Sequence, residues 1–194
     1  MEKHYLSMLV DNKSGVLSRI SGLIARRGYN IDSLSVCATE DERLSRMTIA
    51  ISCDERTFKQ IQAQLAKQIE VEKIVELKDS DSVLRELLII KISCKNNIIP
   101  EIVDLTTIYK AKTVDITESS VILELTGRAS KLDSFIEMLR PYGIIEMARS
   151  GLSALQRGAT CLKESDYENL DVFHNNQQKI TQKCRFFPFF RGKG

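Results

Sequence analysis

Apolar and polar positions along the chain spell out one strand and helix order twice. Residues 5–10 form a short apolar run that predicts a strand. Val16, Leu17, Ile20, Leu23 and Ile24 then recur on one helical stripe, which predicts a helix over 16–27. Gly28 ends that helix behind Arg26 and Arg27, cations suited to its negative terminus. A second strand is expected over 30–37. After an acidic turn at 39–42, a third strand carries Leu44, Met47, Ile49 and Ile51 on its apolar side. Asp54 is placed to cap a second helix bearing Phe58, Ile61 and Leu65, and residues 71–77 supply a fourth strand.

The second half repeats the order. A strand is expected over 87–92, and Pro100 fits the first turn of a helix carrying Ile102, Leu105 and Ile108. Strands over 113–116 and 121–125 follow, joined by a short turn at 118–120. Ser130, with Asp133 three residues later, reads as a capping box for a helix with Leu132, Phe135, Ile136 and Leu139. A strand within 142–148 closes the set. The pairs Ile31 and Val114, Phe58 and Phe135, and Ile74 and Met147 match at spacings of 83, 77 and 73 residues. A repeat of that length means duplicated domains, not a solenoid. The fold class expected is α+β: two tandem ferredoxin-like βαββαβ domains, antiparallel sheets with both helices on one face. The domains are expected at 1–78 and 86–158, with a polar linker at 79–85. The uncovered faces and edges of such sheets favour pairing with a second copy, so a homo-oligomer is expected.

Composition narrows the function classes. The chain has 194 residues, 43% hydrophobic and 28% charged, ordinary for one or two small cores. The longest dense apolar stretch, near 87–92, is interrupted by Lys91, so no membrane span is expected. No signal-peptide pattern follows Glu2, Lys3 and His4, and a cytoplasmic protein is the expectation. Net charge is +2, yet the five basic residues after position 171, with no acidic ones there, leave −3 for the main body. Nucleic acid is therefore not an expected partner. The five cysteines include no C-x-x-C pair, and His4 and His174 are the only histidines, so no metal site is expected. Cys37, Cys53 and Cys94 lie in strand-like runs and read as small buried apolar residues. The stretch 159–194 is polar, then basic and aromatic, and is expected to be a disordered extension.

Candidate chemistry concentrates where the first strand meets the first helix. The N–H groups that open a helix lack helical partners and sit at the positive end of its dipole, so they can hold a small anion. Ser14 is expected to cap the helix. Gly15 removes a side chain where a ligand would approach, and Asn12 can donate or accept hydrogen bonds. The bare alternative is a strand–helix turn and nothing more.

Three runs carry a family resemblance: Asn12-Lys13-Ser14-Gly15-Val16-Leu17-Ser18-Arg19, Arg27-Gly28-Tyr29-Asn30-Ile31-Asp32-Ser33-Leu34 and Leu44-Ser45-Arg46-Met47-Thr48-Ile49. In order, they resemble the first ACT domain of acetolactate synthase small subunits. Gly127 with Lys131-Leu132-Asp133-Ser134-Phe135, then Glu146-Met147-Ala148-Arg149-Ser150-Gly151 and Arg157-Gly158, resemble that family's second domain. The likeness runs from 1 to about 158.

The resemblance implies a regulatory subunit without catalytic residues. Such a subunit binds and activates a large catalytic subunit, the one expected to carry thiamine diphosphate, Mg and FAD, while this chain binds no cofactor. It also confers feedback inhibition by a branched-chain amino acid, valine above all. Carried over by position, the effector contacts fall on Asn12, Ser14, Gly15, Val16 and Leu17 of one chain and on Asn30 and Ile31 of a dimer partner. Physically, the helix start would take the carboxylate, the Asn12 carbonyl the ammonium, and Leu17 with Ile31 a small apolar side chain. Arg46 and Tyr29 are expected beside the site as relay or docking residues. The loop at 94–98 lacks a counterpart of Gly15, so the second domain is not expected to bind an amino acid the same way. Alternatives are a free-standing ACT sensor or the regulatory part of another amino-acid biosynthetic enzyme. An RNA-binding module lacks the aromatic central strands it would need.

Overall fold

A computed structural model describes residues 2–94, 99–159 and 161–162. The first half runs β1 (Glu2–Asp11), α1 (Val16–Ala25), β2 (Ser33–Ala38), β3 (Leu44–Cys53), α2 (Glu55–Leu65) and β4 (Val71–Glu76). Its sheet has the order β2-β3-β1-β4, antiparallel throughout, as a βαββαβ unit requires. Leu6, Met8 and Val10 of β1 and Met47, Ile49 and Ile51 of β3 point to one face. Val16, Ile20 and Ile24 of α1 and Phe58, Ile61 and Leu65 of α2 cover that face and complete the core. Asp54 caps α2 as the sequence predicts: its carboxylate accepts from Thr57 Oγ1 at 2.7 Å and from Thr57 N at 3.0 Å. The two bonds from Thr57 hold its pKa below the usual carboxylate range.

The second half runs β5 (Ser82–Ser93), α3 (Ile99–Tyr109), β6 (Lys112–Ile116), β7 (Ser120–Gly127), α4 (Ala129–Leu139), a single 3-10 turn (Arg140–Tyr142), β8 (Ile144–Arg149) and β9 (Ser153–Gln156). The sheet order is β6-β7-β5-β8, and β9 pairs with the start of β5. Leu88, Ile90, Ile92, Val121, Leu123 and Leu125 meet Ile102, Leu105, Leu132, Phe135, Ile136 and Leu139 in a second core. Glu86, buried on β5, receives Arg149 Nε at 2.9 Å. The same guanidinium donates through Nη1 to Asp133 of α4 at 2.7 Å.

Local expectations fail at identifiable places. The helix around Ser130 starts one residue before it, with Arg128 as its uncapped N-cap, so there is no capping box; Asp133 is engaged by Arg149 instead. Ile108 is 73% exposed, and Thr106 takes the inner position on α3. Val114, Ile116 and Met147 are also exposed, because β6 and β8 are edge strands that the helices do not cover. Cys37 is exposed on the edge strand β2, whereas Cys53 and Cys94 are buried as expected. The strand expected at 87–92 begins at Ser82, inside the expected linker, because its first residues pair with β9. Among the described residues, no helix is long and apolar enough to cross a membrane.

The first sheet's outer face is covered by the chain itself, where a second copy was expected. Leu77, Leu84, Leu152 and Ala154 bury one another against Tyr5 and Val75 in a third small core. Leu152 is held at both ends of its peptide units: its N–H donates to Ser33 Oγ at 3.0 Å, and its carbonyl accepts from Ser35 Oγ. Both halves therefore lie within one compact unit. Of the expected tail, Ala159, Cys161 and Leu162 are described, and Leu162 is buried; the rest of 159–194 lies outside the described residues, as does the 95–98 loop.

Gly151 lets the second half approach β2 this closely. Its φ is +75°, and a Cβ there would lie 3.0 Å from the Leu34 carbonyl oxygen and 3.1 Å from Ser33 Oγ. Gly151→Ala is expected to destabilise the chain by about 1–3 kcal/mol through combined strain and crowding. Urea unfolding measures it, and an unchanged midpoint with unchanged slope would show that this contact is loose.

Candidate functional site

The turn between β1 and α1 is built by one backbone conformation. Gly15 is the N-cap of α1 with φ +84° and ψ −14°, in the left-handed region, and no side chain caps the helix. The Ser14 cap expected from sequence is therefore absent: the left-handed corner at Gly15 starts the helix one residue later than a Ser14 cap would. Arg19 N–H donates to Gly15 O at 3.0 Å, the first full helical bond, and Val16 N–H reaches Lys13 O only at 3.4 Å. Among the described residues, the amides of Ser14, Gly15, Leu17 and Ser18 have no protein acceptor. Residues 12–15 are exposed, so these donors face outward from the positive end of α1.

The surrounding side chains stiffen the turn from three sides. Asn12 N–H donates to Arg43 O at 2.7 Å, and Asn12 Nδ2 donates to Glu42 O at 2.8 Å, tying the turn to the loop before β3. That use of Nδ2 leaves Oδ1 as the side chain's acceptor. Arg19 Nε sits 2.8 Å from Glu70 Oε1, and Lys13 Nζ donates to Asp11 Oδ2 at 2.7 Å. The Asp11 carboxylate raises the Lys13 pKa through that bond, so the ammonium stays charged beside the turn.

The expected site residues separate into two groups. Asn12, Ser14, Gly15, Val16 and Leu17 lie at the start of α1, and Asn30 and Ile31 lie just past its end. Ten residues of helix stand between them, about 15 Å at the usual rise, so one chain does not bring the groups together. Val16 is 3% exposed and belongs to the core; only its backbone faces the turn. Leu17 is 45% exposed and available as an apolar contact. Asn30 is exposed with Nδ2 3.4 Å from Asp32 Oδ1, while Ile31 packs partly against the first core.

A shallow depression of about 400 Å³ runs along the exposed side of α1, lined by Ser18, Ser21, Gly22, Ala25, Tyr29, Asn30 and Ile31. The small helix residues there went unremarked in the sequence reading, although their i, i+3, i+4 spacing was the available signal. Tyr29 lines this depression beside Asn30 and Ile31. Arg46 does not: it lies on the sheet face away from α1, donates to Ser7 Oγ at 3.0 Å, and lines a small cavity with Val75, Leu77, Leu155 and Leu162. The sequence reading also missed that His4 approaches Glu55 and Glu76 on the far side of the first core.

Comparison with known proteins gives a consistent picture. Residues 6–73 match the family described as the AHAS small subunit-like ACT domain, and residues 85–158 match the small subunit of acetolactate synthase. A probable acetolactate synthase small subunit of Archaeoglobus fulgidus is 46% identical over 156 residues, covering 80% of this chain and 98% of the relative. The acetolactate synthase small subunit of Mycolicibacterium smegmatis is 44% identical, covering 80% and 91%. The crystal structure of an acetolactate synthase small subunit from Thermotoga maritima superposes with a TM-score of 0.77 at 36% identity, covering 82% of this chain and all of that one.

Gly15→Ala separates conformation from crowding, since a Cβ there meets only the Arg19 guanidinium, Nη1 at 3.5 Å and Cζ at 3.9 Å. The variant is expected to lose about 1–2 kcal/mol from the left-handed φ alone. Thermal unfolding checks this, and an unchanged melting temperature would mean that the turn relaxes freely.

Proposed function

The chain belongs to the acetolactate synthase small-subunit family, and we propose that it activates a catalytic large subunit and makes that subunit sensitive to valine. In this reading the chain contributes no catalytic residue. Thiamine diphosphate, Mg and FAD are held by the large subunit, and the complex works in the cytoplasm on the route to valine, leucine and isoleucine. Family membership supports the regulatory role.

The observation that carries the effector site is the uncapped start of α1, whose outward amides suit an α-carboxylate. The Asn12 Oδ1 acceptor beside them suits an α-ammonium, and exposed Leu17 suits an aliphatic side chain. Asn30 and Ile31 complete the site from a second copy. A two-fold axis that sets two α1 helices antiparallel brings the start of one against the end of the other. Ser18, Ser21, Gly22 and Ala25 permit that approach, because small side chains let a neighbour come near the helix backbone. An effector bound across such a pair favours one dimer arrangement. It shifts activity by its differential affinity, typically about 1–3 kcal/mol. One methylene changes affinity by about 1–3 kcal/mol, so leucine and isoleucine are expected to act at higher concentration than valine.

Reconstitution with the catalytic subunit tests the reading. The isolated chain is expected to show no acetolactate formation, the mixture to exceed the catalytic subunit alone, and valine to reverse that gain. Asn12→Ala is expected to raise the valine concentration for half-inhibition about 10- to 100-fold, the worth of one charge-assisted hydrogen bond. Gly15→Asp, which puts a carboxylate at the helix start, is expected to abolish inhibition while activation survives. Valine inhibition unchanged in both variants would place the effector elsewhere.

A further inference from the structure

We propose that His4, Glu55 and Glu76 form a binding site for a divalent transition metal of the zinc class, stapling β1, α2 and β4 of the first domain. His4 occupies a core-facing position on β1, in line with Leu6, Met8 and Val10, and is 5% exposed. Its ring stacks on Phe58 of α2 with centroids 4.2 Å apart and planes 15° off parallel, which fixes where its nitrogens point. Nδ1 faces two carboxylates, Glu76 Oε1 at 3.5 Å and Glu55 Oε2 at 4.0 Å. The three ligand atoms all lie within 4.8 Å of one another.

These separations are long for hydrogen bonds and suited to an ion between the groups. A direct N–H···O bond would close to about 2.7–3.2 Å. Tetrahedral zinc with bonds of about 2.0–2.2 Å sets its ligand atoms about 3.3 Å apart, so modest side-chain rotations suffice. Nε2 is buried with no hydrogen-bond partner among the described residues, so Nδ1 is the imidazole nitrogen placed to bind an ion.

The carboxylates are prepared for the role. Lys59 Nζ takes Glu55 Oε1 at 2.9 Å and leaves Oε2 toward the imidazole. Glu55 is half-exposed, so water can fill the remaining coordination position. One imidazole nitrogen with two carboxylate oxygens suits zinc or its first-row neighbours, whereas magnesium prefers oxygen alone.

Zinc chloride titrated into the metal-stripped full chain tests the proposal by calorimetry and thermal unfolding. One zinc per chain is expected, with a melting temperature raised by about 5–10 °C at a hundredfold excess over Kd and no such rise with magnesium. Glu76→Gln and Glu55→Gln, both at partly exposed positions, are expected to fold and to lose zinc affinity at least tenfold. His174→Ala is expected to keep it. Cobalt(II) in place of zinc is expected to show weak d–d bands without a thiolate charge-transfer band, since no cysteine takes part. The proposal is overturned by no zinc-dependent shift in the parent chain, by a shift unchanged in both glutamine variants, by its loss in His174→Ala, or by a thiolate band.

Discussion

The left-handed backbone at Gly15 is the constraint on which the rest of this chain's arrangement depends. It starts α1 at the end of the four-residue turn that follows β1, so Val16 drops directly into the first core. Because no side chain caps the helix, the first amides stay turned toward solvent at the positive end of the dipole. A Ser or Asp cap would have consumed at least one of them. Fixing the helix on the sheet and leaving anion-directed donors outside are opposed demands, and glycine meets both because it alone adopts this φ without strain.

Asn12 and Arg19 turn that corner into a fixed shape. Asn12 ties it to the carbonyls of Glu42 and Arg43, and Arg19 ties the helix to Glu70. The donors are thus held before anything binds, which lowers the ordering cost of binding. At the far end of α1, Asn30 and Ile31 stand within three residues of Ser33, which holds the Leu152 amide of the second half. The Leu152 contacts and the third small core, with Leu84 of β5 and Ala154 of β9, join this end of the first half to the second half. Any coupling would still draw its energy from a ligand's preference between arrangements, not from the connection itself.

The chain's use of its own segment to cover the first sheet's outer face also decides which surfaces a second copy can use. With Leu152, Ala154 and Leu162 buried there, the exposed sides of α1 and α2 and the edge strands β2 and β4 stay outside that cover.

Sequence by itself determined the order of the four helices and first eight strands, the duplication, most of the two main cores and the Asp54 cap, because these follow from local periodicity and short-range hydrogen bonding. The runs around Gly15 and Asn30 were legible too, through their likeness to a family. Tertiary structure alone decided what depends on residues far apart in the chain. Ser130 fails as a cap and Arg149 claims Asp133, a pairing across 16 residues. Arg46 turns to the face away from α1 because strand register, set by long-range pairing, assigns it there. Leu152 meets Ser33 across 119 residues, and His4 meets Glu55 and Glu76 only once β1, α2 and β4 have packed. Period and propensity describe neighbours along the chain, and these contacts join residues that only the folded packing makes neighbours.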